Sequence, residues 1–111
     1  VGVFSQAATA FRGQLGRPGN TPTGGSVTVG AAQDPSEVAA TAGVTTTWTV
    51  APTAPSPGMR QFDFNNVPGS GVIFTWPADG EVVVGTTRAS SLILWGVTAG
   101  PLMDLYLVWS E

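Results

Sequence analysis

The stretch SLILWGVTAGPLMDLYLVW, Ser91 to Trp109, constrains this chain more than any other. It is nineteen residues long and carries one charge, Asp104. That is about the length of a bilayer-spanning helix, but three features exclude one. Thr98, Gly100 and Pro101 interrupt the middle, where a proline costs a helix about 3 kcal/mol. Asp104 adds roughly 2.5–3.5 kcal/mol near a bilayer centre. Ile93, Trp95, Val97, Tyr106, Val108 and Trp109 are strand formers. Divided at Ala99–Pro101, the stretch predicts two strands, Ser91–Val97 and Met103–Trp109, paired as a hairpin across TAGP (98–101).

The preceding residues carry the same grammar. Met59–Phe64 alternates, with Arg60, Phe62 and Phe64 on one face and Gln61 and Asp63 on the other. NNVPGSG (65–71) is a turn cluster. Val72–Trp76 and Glu81–Thr86 predict a second hairpin around PADG (77–80), with Pro77 at the first turn position and Gly80 as the left-handed residue. Earlier, Val44, Trp48 and Val50 share one face and Thr45, Thr47 and Thr49 the other, a half-buried strand. SVTVG (26–30) is a weaker one. Between them, Asp34 as N-cap, Pro35, Glu37 and Gly43 frame a short helix over 35–42, the alternative being a loop with one helical turn. Its residues are nearly all small, so little would hold it. Phe4, Ala8, Phe11 and Leu15 lie at helical spacing, but GQLGRPGNTPTGG after them is irregular.

The expected class is all-β: a small antiparallel sandwich or jelly-roll-like barrel with a long, mostly irregular N-terminal arm. The arm would be residues 1–25 and the β domain 26–111. Seven of the ten aromatics fall in residues 59–111 and six of the nine prolines in 1–58, which places the core in the second half.

Absent residue types exclude whole chemistries. The chain has no His, no Cys and no Lys; its cations are Arg12, Arg17, Arg60 and Arg88. A Ser-His-Asp triad, an ordinary zinc site, a Schiff base and a Walker A loop at GNTPTGGS are therefore impossible. Four scattered arginines and a net charge of −3 do not suit a phosphate backbone. VGVFSQAATA lacks the basic flank and apolar core of a secretory signal.

Three features invite a binding role. Asp63, Asp79 and Glu81 could gather around Ca²⁺, or two of them could act as a glycosidase pair, but Asp79 and Glu81 flank a turn that favours Asp anyway. Trp48, Trp76, Trp95 and Trp109 could stack on sugars, but all lie within apolar strands, where aromatics pack in cores and interfaces. Arg12 and Arg17 could tie a glycine-rich arm to a neighbour's carboxylates, or simply be solvated. No enzyme, cofactor or metal is expected.

Strands such as Val82–Val84 and Leu92–Trp95 are apolar on both faces. A two-layer sandwich buries one face of each sheet, so a second cover is needed, from the arm or from another subunit. In size, composition and arm-plus-β-domain organisation, the chain is similar to phage capsid decoration (cement) proteins. The resemblance implies a non-enzymatic virion protein, made in the host cytoplasm, that sits on the outer capsid surface and stabilises the shell. Its partners would be the major capsid protein and like subunits, as a trimer, without nucleic acid or membrane. Residues 1–23 would then be the capsid contacts. Phe4, Phe11 and Leu15 would be anchors, with Val3, Arg12 and Arg17 beside them. Two alternatives stand: a carbohydrate- or ligand-binding sandwich of a surface or tail protein, and a fibre or appendage subunit that assembles by strand or arm exchange.

Overall fold

The computed structural model describes residues 1–32, 34–38, 40–56 and 58–110. It is all-β. The strands are β1 (Gly2–Ser5), β2 (Phe11–Gly16), β3 (Val27–Val29), β4 (Gly43–Thr45), β5 (Gly58–Phe64), β6 (Gly71–Ile73), β7 (Ile93–Gly96) and β8 (Met103–Tyr106). One 3-10 turn, Arg88–Ser90, precedes β7. Every pairing is antiparallel, in sheets ordered β6-β1-β8 and β5-β2-β7 and a separate β3-β4 ribbon.

The two three-stranded sheets are built from three β-arches side by side. Each arch sends one strand to each sheet: β1 and β2 in the middle, β5 and β6 on one flank, β7 and β8 on the other. The corners are held by short polar side chains. The Ser5 hydroxyl donates to the Ala7 carbonyl (2.7 Å). Asn65 Oδ1 accepts from the Val67 N–H (3.3 Å) and the Ser70 hydroxyl (2.5 Å). Thr98 Oγ1 accepts from the Arg12 N–H (3.2 Å). Small polar residues satisfy corner backbone that no ladder reaches.

The core lies between the sheets. Val3, Phe11, Phe62 and Phe64 are buried together, with Val72, Phe74, Leu94 and Met103 packed against them. The rings of Phe11 and Phe64 lie 5.4 Å apart, and Phe62 meets Phe74 of the opposite sheet edge-on at 5.6 Å. Fully burying each such side chain stabilises by roughly 1.5–3 kcal/mol. Gly13 makes this packing possible. It faces Phe62 across the β2–β5 ladder, and a Cβ there would stand 2.5 Å from Phe62 Cζ and 2.7 Å from Phe11 Cε1.

Several expectations require correction. Ser91–Val97 and Met103–Trp109 are not a hairpin: β7 pairs with β2, β8 pairs with β1, and they lie in opposite sheets. The 77–80 turn forms, with the Gly80 N–H on the Pro77 carbonyl (3.0 Å), but Asp79, not Gly80, has the positive φ (66°). Residues 81–86 form no strand. The Arg17 guanidinium donates to the Val83 carbonyl, where a neighbouring strand would otherwise do so. The helix over 35–42 does not form in its described residues. The chain makes one turn there, with the Glu37 N–H on the Asp34 carbonyl (3.1 Å), as expected of small residues with no face to bury.

The largest correction concerns the arm. Residues 1–25 are not an outlying segment, because β1 and β2 are the central strands of both main sheets. Even Val1 extends its ladder: its amino group donates to the Phe74 carbonyl (2.9 Å), and the Phe74 N–H returns to Val1 O (2.7 Å). Within residues 1–25 the irregular parts are the corner at 6–10 and the stretch after Gly16, which holds a single β-bridge, Thr23 to Val50.

Candidate interaction surface

The six residues expected to contact a partner are distributed quite differently in the fold. Val3 (0% exposed), Phe11 (4%) and Leu15 (2%) are buried within the chain itself. Arg12 Nε donates to Asp63 Oδ1 at 2.7 Å on the exposed face of the β2–β5 ladder, and this hydrogen bond, then the carboxylate's charge, raises the arginine's pKa. Arg17 donates to the carbonyls of Ser90 and Val83. Phe4 alone among the apolar ones is half-exposed, on the outer face of the β6-β1-β8 sheet.

The other candidates are dispersed too. Asp63 is engaged by Arg12, and among the described residues no three acidic side chains gather closely enough to share a cation. Trp48 lies beneath the Arg88 guanidinium (5.8 Å), and Trp76 leans on Phe74 (6.5 Å). No two tryptophan rings contact each other among the described residues. Asp34 Oδ1 accepts from the Ser36 hydroxyl (2.7 Å) and N–H (2.9 Å), which lowers its pKa.

What remains open is apolar. Beyond Tyr106, the C-terminal residues run past the end of β8 and lie beside the β3–β4 ribbon. Leu105, Leu107 and Trp109, at alternate positions, line a groove of about 260 Å³ with Thr28, Val29 and Val44. Val29 (52% exposed) and Leu105 (49%) remain half in solvent. The Trp109 indole caps Gly30, where a Cβ would overlap it. A second depression of about 450 Å³ continues past Leu107 and Trp109 to Val38, which is 89% exposed, with Asp34 and Glu37 on its rim.

Comparison with known proteins finds no matching family model, no matching curated protein and no matching solved structure. The surface must therefore be judged on its chemistry. It presents mainly aliphatic and indole groups, with Thr28 in the groove and Asp34 and Glu37 on the rim of the adjoining depression, an arrangement suited to burying apolar area against another surface. Among the described residues no helix is long and apolar enough to cross a membrane. The doubly apolar strands had signalled excess apolar surface; its location did not follow from the sequence, because the ribbon that forms one wall is far away in the chain. Val38, read as part of a small-residue helix, gave no signal at all.

Proposed function

We propose that this chain is a non-enzymatic structural subunit of a virion, a decoration protein that binds the outer capsid surface and stabilises the shell. The observation that carries the reading is the open apolar groove between the β3–β4 ribbon and Leu105–Trp109. An exposed apolar surface of this kind marks an association site or is an aggregation hazard. The partner surface is thereby moved from residues 1–23, where two of the three proposed anchors, Phe11 and Leu15, are buried, to the C-terminal edge. The partners are the major capsid protein and further copies of the chain. A chain without His, Cys or Lys and with so few polar groups supports binding over catalysis.

A fibre or appendage subunit is the second reading, favoured by one observation: β8 lies at the edge of its sheet with its apolar extension beside it. A closed oligomer suits decoration, and an open-ended polymer suits a fibre. Sedimentation equilibrium separates them. Decoration expects a discrete oligomer that Leu107→Lys dissociates while the far-ultraviolet circular dichroism is unchanged. A monomer at every accessible concentration would overturn the assembly reading, and indefinite growth would favour the fibre.

A further inference from the structure

We propose that the outer face of the β6-β1-β8 sheet is a binding platform for an all-equatorial pyranose chain, formed by Phe4, Tyr106, Gln6 and Asp104. The register lays out two rows across this face. Ile73, Gly2 and Tyr106 form one, and Gly71, Phe4 and Asp104 form the next. Each row pairs an aromatic with a glycine on the neighbouring strand, so both rings lie down on the sheet. The Tyr106 ring covers Gly2, where a Cβ would overlap it, and a Cβ on Gly71 would overlap both the Val3 carbonyl oxygen and the Phe4 ring. The two ring planes are within 16° of parallel, with centroids 6.3 Å apart. Tyr106 is 45% exposed and Phe4 half-buried, and each ring lies against a glycine of the neighbouring strand.

Polar groups flank this surface on the same side of β1. The Gln6 side-chain amide donates to Asp104 Oδ1, leaving the second carboxylate oxygen and the amide oxygen without another partner among the described residues. An all-equatorial pyranose matches the combination. Its axial C–H groups form two flat apolar faces that stack on aromatic rings, and its equatorial hydroxyls project at the rim, where a carboxylate and an amide can accept them. A purely apolar partner would leave the Gln6–Asp104 pair buried with unmet hydrogen-bonding capacity, which is costly. The rings are already seated, so binding requires little ordering of side chains. This site is separate from the C-terminal groove: Tyr106 and Leu107 are adjacent in sequence and face opposite sides.

Tyr106 is the chain's sole tyrosine, so its ring resonances report on the platform without ambiguity. The test titrates the full chain with cellohexaose and with chitohexaose by NMR. The proposal expects saturable shifts of the Tyr106 ring signals at millimolar sugar with at least one hexamer. It expects affinity to fall by about tenfold or more in Asp104→Ala and in Tyr106→Ala. Should Tyr106→Ala fail to fold, Asp104→Ala and Gln6→Ala, both at exposed positions, carry the test. Leu107→Lys should bind sugar like the parent, which separates this proposal from the shell-binding one. Absence of any shift with both hexamers, shifts indifferent to the Asp104 and Gln6 substitutions, or Tyr106 shifts that follow protein concentration instead of sugar would each overturn it.

Discussion

The three stacked arches and the region from Arg17 to Ser56 are held by different forces. In the arches, four buried side chains meet between two sheets, and the strands on either side are fixed by ladders, that of β2 and β5 shifting register between Leu15 and Gly16. From Arg17 to Ser56 the chain has one short ribbon, two buried prolines (Pro18 and Pro22) and single links, most of them at exposed positions. The Asn20 side chain bridges to the Ala51 carbonyl (3.1 Å) and the Thr53 N–H (2.8 Å). Thr23 bridges Val50, the Ser26 N–H reaches Thr47 Oγ1 (3.2 Å), and Arg88 ties the Gly24 carbonyl while lying over Trp48. Each such hydrogen bond contributes about 0.5–1.5 kcal/mol net, whereas loss of one core aromatic costs several times that. The two regions differ in how much a single residue can undo.

The comparison breaks most sharply on removal of residues 1–16. Both main sheets lose their central strand, so far-ultraviolet circular dichroism should show an unfolded chain. A folded truncation would restore the view of these residues as an arm. Next, Phe11→Ala should cost about 3–5 kcal/mol in chemical denaturation, a large fraction of the stability of a domain this size. Gly13→Ala tests the packing more finely. Alanine is ordinarily the better strand residue by roughly 0.5–1 kcal/mol, but crowding of Phe62 and Phe11 should outweigh this, for a net loss of up to about 2 kcal/mol. A stabilised variant would mean that the rings have room to move. At the small end, the depressed pKa of Asp34 adds stability only above the ordinary aspartate range, and the contribution disappears as pH falls through the lower folded value. Asp34 is fully exposed, so solvent screening limits the effect to its own turn. Asp34→Ala should leave the global unfolding midpoint unchanged while amide exchange at Ser36 and Glu37 quickens.

Much of the architecture was legible in the sequence, and the exceptions share a cause. Alternation in Met59–Phe64 correctly set Phe62 and Phe64 inward and Gln61 and Asp63 outward, because period two fixes which face a side chain takes. It does not fix the neighbouring strand. Two apolar strands joined by TAGP satisfy the pattern equally as a hairpin in one sheet or as an arch across the core, and the choice rests on β1 and β2, seventy or more residues away. These two were missed because Phe4, Ala8, Phe11 and Leu15 mimic helical spacing, while Gly13 and Gly16 weaken strand propensity, although Gly13 is what accommodates the Phe62 and Phe11 rings. The aromatic platform was hidden for the same reason: Gly2 opposite Tyr106 and Gly71 opposite Phe4 are pairings between strands remote in sequence. The C-terminal groove was foreshadowed only as an excess of apolar residues.

Native-state hydrogen exchange on the full chain tests the central claim, that residues 1–16 are the shared centre of both sheets. The amides of β1 and β2 that lie within the ladders should be among the slowest to exchange, opening only with global unfolding, and slower than those of β3 and β4. Exchange of β1 and β2 as fast as that of the ribbon would contradict it and return these residues to the status of an arm.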